Sequence, residues 1–209
     1  MKNNYWFLLI LLLMYFIINV FDQVFIFTDD FLYRNLSDEL SESVIEGLVT
    51  SENRFGWISF AILPFIILLK ILFTTFCVTT GAIFADTEFS IAKIFQVVIY
   101  SEFIFLISQK VYSLNLFFNR DVLTFENAGN FFPLSMLSFF EVENVVPWLH
   151  YPIQTLNLFE VAYVLCIAWL LSKQWKPDFI ESLNIVIPSY GLGLLVWMVL
   201  VVFLTLQVS

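Results

Sequence analysis

Two ionisable residues lie deep inside long apolar stretches of this sequence. Lys70 lies 13 residues after Trp57 and 12 before Ala82, and Glu102 lies 11 residues before Ser113. Both stretches are long enough to cross a membrane, where a charge that faces lipid costs about 2.5 kcal/mol or more. A short link joins the two stretches, so they run antiparallel and place both charges at nearly one level. We therefore predict an intramembrane ion pair between Lys70 and Glu102.

Two roles are open for this pair. Intramembrane charges often mark a proton or substrate relay, whereas a buried ion pair can fix how two helices pack. Helical spacing puts Glu102 on one face with Gln109 and Ser113. We identify no second carboxylate or histidine at the same depth, which favours the structural role.

The composition sets the class of protein. The chain has 209 residues, of which 60% are hydrophobic and 13% are charged, with a mean hydropathy of +0.89. A soluble globular domain carries about 25% charged residues, so that class is excluded. The net charge of −9 and only nine scattered Lys and Arg residues argue against nucleic acid as a partner. We expect one polytopic membrane domain over residues 1–209, with the lipid bilayer as its surroundings.

The apolar stretches predict an all-α bundle of about five transmembrane helices. Their ranges are 5–27, 57–82, 91–113, 157–171 and 185–206. Lys173 and Lys176, in the turn before the last stretch, favour an orientation with the N-terminus inside and the C-terminus outside. The long acidic loop after the first stretch then lies outside.

This first outer loop, residues 28–56, predicts a short amphipathic helix on the surface. Ser37 is a candidate N-cap, and apolar residues follow it at helical spacing. These apolar residues are Leu40, Val44, Ile45 and Leu48.

A second irregular region covers residues 114–155. Its apolar part, Phe131 to Phe140, is too short to span a membrane, so we expect it at the interface or in a re-entrant turn. Trp148 and Tyr151 follow as candidate interface anchors.

The fourth stretch opens with a capping pattern. Asn157 precedes Glu160 by three residues, the spacing of an N-cap and its acidic partner in a capping box. This pattern favours a helix-start role for Glu160 over a catalytic or ion-binding one.

Residues that could support catalysis or metal binding are few. The chain has one histidine, His150, and two cysteines, Cys77 and Cys166, none within a recognisable catalytic or metal-binding motif. We therefore expect no enzyme activity, no cofactor and no metal site.

Two segments resemble the bacterial, five-span branch of the Yip (Ypt/Rab-interacting protein) domain family. The first is Thr79-Thr-Gly-Ala-Ile-Phe84 with Phe89-Ser90 and the third stretch, and the second is Leu156-Asn-Leu-Phe159. The link between the second and third stretches has no glycine, and the Asp-Leu-Tyr-Gly-Pro signature of eukaryotic members is absent. The resemblance therefore implies no functional residue and no Rab binding. It implies a non-enzymatic protein of membrane organisation, in a bacterial cytoplasmic (inner) membrane.

Two functions remain as hypotheses. The first is a subunit or scaffold of a membrane complex, with other membrane proteins as partners. The alternative is a small transporter or permease subunit that uses the Lys70/Glu102 pair, although no internal repeat of the kind common in transporters is evident.

Overall fold

The computed structural model describes residues 5–174 and 178–208, and within these ranges the chain is all-helical. Lys176, which enters the orientation argument, lies outside the described residues. The α-helices in chain order are α1 (Tyr5–Phe25), α2 (Asp29–Leu36), α3 (Glu42–Phe55), α4 (Trp57–Phe84), α5 (Ile91–Phe118), α6 (Phe125–Asn130), α7 (Pro147–Thr155), α8 (Leu158–Gln174) and α9 (Phe179–Val208).

Four of the described helices are long and apolar enough to cross a membrane, which is the architecture of a multi-pass membrane protein. The apolar segments are Trp6–Phe25, Trp57–Phe84, Ile91–Phe118 and Phe179–Gln207. The fourth predicted stretch forms α8, whose 17 residues extend only about 25 Å at 1.5 Å per residue. Helix α8 is therefore shorter than the other four.

Helices α4 and α5 form an antiparallel hairpin, and α8 and α9 form a second pair that packs against it. Helix α8 contacts α5, α9 contacts α4, and α1 packs on α5 and α4. Below, the upper end of the bundle is the end where α4 begins and α5 ends. The lower end is the end with the link between α4 and α5. The main apolar core runs between these helices and includes Leu11, Ile71, Val97, Ile167 and Val186.

Helices α4 and α9 approach most closely where small residues face each other. A Cβ atom built at Gly81 would lie 2.5 Å from the Cβ of Ser189, and one built at Gly193 would overlap the Sγ of Cys77. Real side chains do not come this close, so both positions require glycine in this packing. We call this contact the α4–α9 seam.

The last helix begins six residues earlier than predicted. Asp178 accepts a hydrogen bond from the Glu181 N–H at 2.8 Å, and the Glu181 carboxylate accepts one from the Asp178 N–H at 3.2 Å. This capping box starts α9 before the apolar stretch itself begins.

The first loop corrects one prediction, because it holds two helices instead of one. Thr28 caps α2 by accepting a hydrogen bond from the Phe31 N–H at 3.3 Å, and Asp29 and Asp30 lie in its favourable first turn. Ser37, the predicted N-cap, instead lies at the C-terminal end of α2. Helix α3 starts at Glu42, and α2 and α3 pack against each other.

Helix α2 is fixed to the upper end of α5. Arg34 donates hydrogen bonds to the backbone oxygens of Arg120 at 2.6 Å and Asp121 at 3.2 Å. Phe31 is buried in a second apolar cluster that includes Ile26 and Leu116. The first loop is therefore packed against the bundle and is not a detached surface helix.

The region between α5 and α8 folds back on itself. Leu134 has a left-handed backbone conformation with φ of 56°, and the Met136 N–H donates to the Leu156 oxygen at 2.9 Å. An isolated antiparallel bridge joins Ser135 to Asn157. Helix α7 packs on α9, so residues 134–136, α7 and the start of α8 form one connected corner.

Candidate functional site: a polar cleft between α4, α8 and α9

The structure brings Lys70 and Glu102 together. Lys70 Nζ lies 2.7 Å from Glu102 Oε1, which is both a hydrogen bond and an ion pair. The Glu102 side chain is 1% exposed, whereas 37% of the Lys70 side chain remains exposed. The carboxylate is thus enclosed in the bundle, and the lysine faces a cleft.

Aromatic rings surround the Lys70 ammonium. Its Nζ lies 3.2 Å from the centroid of the Phe105 ring and 5.5 Å from that of Tyr163. Both distances fall within the range of cation–π attraction. The buried Tyr163 hydroxyl lies beside the Thr74 and Glu102 side chains, although it makes no hydrogen bond of good geometry to a described residue. Lys70 is therefore held by one carboxylate and two rings.

A second carboxylate, Glu160, belongs to the same site. Its Oε1 accepts a hydrogen bond from the Tyr190 hydroxyl at 2.5 Å, and the Tyr190 ring packs against the Tyr163 ring with centroids 5.5 Å apart. The sequence-based argument against a relay, that no second carboxylate lies at this depth, is therefore wrong.

Only half of the predicted capping box is present. Asn157 Oδ1 accepts a hydrogen bond from the Glu160 N–H at 2.8 Å, as an N-cap does. The Glu160 carboxylate does not return to the Asn157 N–H, which already donates to the Thr155 oxygen at 3.0 Å. This leaves the carboxylate of Glu160 directed at Tyr190.

Glu160 and Lys70 lie at a similar depth. Each is 14 residues before the lower end of its helix, Gln174 for α8 and Phe84 for α4. At 1.5 Å per residue, both lie about 21 Å from those ends. Because α8 begins only two residues before Glu160, the corner between α7 and α8 lies below the level at which α4 begins. This depth favours the re-entrant alternative for the region before α8.

Of the groups described above, Lys70, Asn157, Glu160 and Tyr190 line a cleft of about 450 Å³. Helix α7 covers its upper side, where Trp197 Nε1 donates to the Tyr151 hydroxyl at 2.8 Å. The exposed surface of the lining is mostly apolar, although several of the lining residues carry polar groups. Its polar members are Lys70, Thr74, Tyr151, Gln154, Thr155, Asn157, Glu160 and Tyr190. A mostly apolar cavity with a few polar side chains is typical of a small-molecule site.

Comparison with known proteins gives no match. No family model, no curated protein and no solved structure matches this chain. The function is therefore argued from the geometry of the cleft.

A separate buried carboxylate, Asp22 in α1, also has partners that the sequence analysis did not identify. Its side chain is 7% exposed, and Ser113 Oγ donates to its Oδ2 at 2.9 Å. Gln109 also interacts with the Asp22 carboxylate. The predicted polar face of α5 therefore contacts α1 through Gln109 and Ser113, and α4 through Glu102.

The histidine and the cysteines lie outside the residues that line this cleft. His150 Nε2 donates to the Val145 oxygen at 2.8 Å. Cys77 lies at the α4–α9 seam, and Cys166 is half-buried. Among the described residues, no group of three or more His, Cys, Asp or Glu side chains could hold a metal ion.

Proposed function

We propose that this chain is a non-enzymatic, multi-pass membrane protein that binds a small ligand in the cleft, as a subunit of a transporter or permease. One observation carries the proposal: Lys70 and Glu160, two ionisable side chains from different helices, line one cleft about 21 Å from the lower helix ends. Ionisable groups at such depth are costly in a membrane and usually serve a ligand or ion pathway.

The arrangement of α7 and α8 supports the same proposal. Transporters commonly place their sites where a helix is interrupted near the middle of the membrane. Here the helical structure is interrupted between Thr155 and Leu158, and Thr155 and Asn157 at the interruption line the cleft. We propose that α8 completes a five-span bundle with the N-terminus inside, in a bacterial inner membrane. In that orientation the cleft lies below the outer surface.

The second candidate is the scaffold or membrane-organising role that the Yip-like resemblance implies. It is supported by the apolar outer face of α9, because an apolar helix face can contact a partner helix as well as lipid. Leu192, Val196 and Val199 are each more than 60% exposed on this helix.

A pocket-filling variant tests the ligand-binding proposal. Leu194 lines the cleft, whereas its neighbour Leu195 is 52% exposed and does not. Leu194→Trp should fill the cleft, and Leu195→Trp is the matched control. The wild type and both variants are purified in maltoside detergent. Their thermal unfolding is then measured with a panel of cationic, anionic, zwitterionic and neutral small molecules.

We expect compounds of one charge class to raise the unfolding temperature of the wild type and of Leu195→Trp, but not of Leu194→Trp. If no compound separates Leu194→Trp from Leu195→Trp, the ligand-binding proposal is wrong. Purification of the protein in a one-to-one complex with another membrane protein would then support the scaffold role.

A further inference from the structure

The charges in the cleft do not cancel. Lys70 lines the cleft but is paired with the enclosed Glu102, so Glu160 is an additional carboxylate on the lining with no positive charge to balance it. The ion pairs among the described residues join Lys70 to Glu102 and Arg120 to Asp121. Glu160 therefore has no cationic side chain within ion-pair distance in the described part of the chain.

The environment of Lys70 disfavours an anion as the ligand. Its ammonium already contacts Glu102 at 2.7 Å and lies over the Phe105 ring. An anion would have to compete with a carboxylate that is 1% exposed and cannot move into water. The lysine is thus neutralised within the protein.

The carboxylate of Glu160, by contrast, is only partly satisfied. Oε1 accepts the Tyr190 hydroxyl, whereas no described cationic side chain lies within ion-pair distance of either carboxylate oxygen. Aromatic side chains line the cleft together with it, among them Phe73 and Trp197, whose ring centroids are 6.0 Å apart. A carboxylate beside aromatic faces is the chemistry that recognises organic cations.

We infer that the cleft binds an organic ammonium ion, with the ammonium group at Glu160 and the apolar part of the ligand against Phe73, Leu194 and Trp197. The inference rests on the proposed function, since it names the ligand class of the same cleft. An ammonium group could come from a free amine or from a lipid headgroup. Both sources offer the same chemistry to Glu160.

Binding of a small quaternary ammonium tests the inference. The purified protein in dodecyl maltoside, which carries no ammonium group, is titrated calorimetrically with benzyltrimethylammonium. Benzyl alcohol serves as the neutral probe and benzenesulfonate as the anionic one. We expect the ammonium probe to bind at least about tenfold more tightly than either of the others.

Glu160→Gln removes the charge and keeps an oxygen for the Tyr190 hydroxyl, so the fold should persist. It should weaken binding of the ammonium probe by about tenfold or more. Glu126→Gln is the matched control, because Glu126 is also an acid in the first turn of a helix but is exposed and does not line the cleft. A second variant, Phe73→Leu, should weaken binding by about threefold or more.

Several outcomes would overturn the inference. It is wrong if Glu160→Gln binds the ammonium probe as the wild type does, or if benzyltrimethylammonium does not bind. If benzenesulfonate binds instead and Leu194→Trp blocks it, the ligand class is wrong but the proposed function stands. If no probe binds and Leu194→Trp behaves like Leu195→Trp throughout the panel, the proposed function fails as well.

Native mass spectrometry separates the two sources of the ammonium group. The protein is extracted from membranes that contain phosphatidylethanolamine and then treated with benzyltrimethylammonium. A lipid headgroup is the ligand if the wild type retains phosphatidylethanolamine, the probe displaces it, and Glu160→Gln does not retain it. Retention of no lipid, together with binding of the probe, identifies a free amine.

Discussion

The Lys70–Glu102 pair makes an asymmetric prediction for its two single variants. Lys70→Met leaves a carboxylate that is 1% exposed without the lysine that pairs with it. Glu102→Gln leaves an ammonium whose side chain is 37% exposed and still lies over Phe105. The first variant should therefore be the more destabilised of the two.

The magnitude follows from the burial of each group. Removing one partner of a buried ion pair costs about 3–5 kcal/mol, and Lys70→Met should fall in this range because Glu102 is enclosed. Glu102→Gln should cost about 1–3 kcal/mol, since the stranded ammonium retains access to the cleft and its cation–π contact. The double variant has no stranded charge, so it should recover at least about 2 kcal/mol of the loss in Lys70→Met.

The assay is equilibrium unfolding in mixed dodecyl maltoside and dodecyl sulfate micelles, followed by far-ultraviolet circular dichroism. Lys93→Met is the matched control, because Lys93 is exposed near the start of α5. The argument is refuted if Lys70→Met is as stable as Lys93→Met. It is also refuted if the double variant is no more stable than Lys70→Met.

Three further predictions concern packing and capping, each measured by the same unfolding assay. Gly81→Ala should cost about 1–3 kcal/mol because its Cβ would lie 2.5 Å from a side chain of α9. Gly191→Ala is the control and should be neutral or slightly stabilising, because a Cβ there has nothing within 4 Å. Equal effects of the two variants would contradict the close packing at the α4–α9 seam. Asn157→Ala should cost about 0.5–2 kcal/mol through loss of the α8 cap, and an unchanged stability would argue against it. Ser113→Ala should cost about 1–3 kcal/mol because it removes a donor to the buried Asp22. An unchanged stability would contradict this hydrogen bond.

The sequence predicts the α4–α5 hairpin and its ion pair for a simple reason. Two antiparallel helices joined by a short link have their outer ends at about the same level. Counting residues inward from these ends therefore places Lys70 at the level of Glu102. The length and hydropathy of α1, α4, α5 and α9 likewise identify them as candidate spans. Both inferences use only local or adjacent segments.

The rest of the site depends on packing between segments that are distant in sequence. The spacing of Asn157 and Glu160 indicates a cap, but nothing near them indicates that the carboxylate meets Tyr190, 30 residues further along the chain. The cleft forms only when α7 covers the space between α4 and α9. In the first loop, Thr28 followed by two acids is a local pattern for the start of α2, whereas helical spacing of the apolar residues favours Ser37 as the N-cap.

The α4–α9 seam restricts how the cleft can change shape. Gly81 and Gly193 leave room for the small side chains of Ser189 and Cys77 between the two helices. On α4 the cleft residues, from Ile66 to Thr74, all lie above this contact. The seam therefore holds the two helices together at the lower part of the cleft, so we expect separation of α4 from α9 to widen the cleft mainly at its upper part. Such a movement must also break the hydrogen bond between Trp197 and Tyr151 or carry α7 along with α9. While this hydrogen bond holds, α7 and α9 move together.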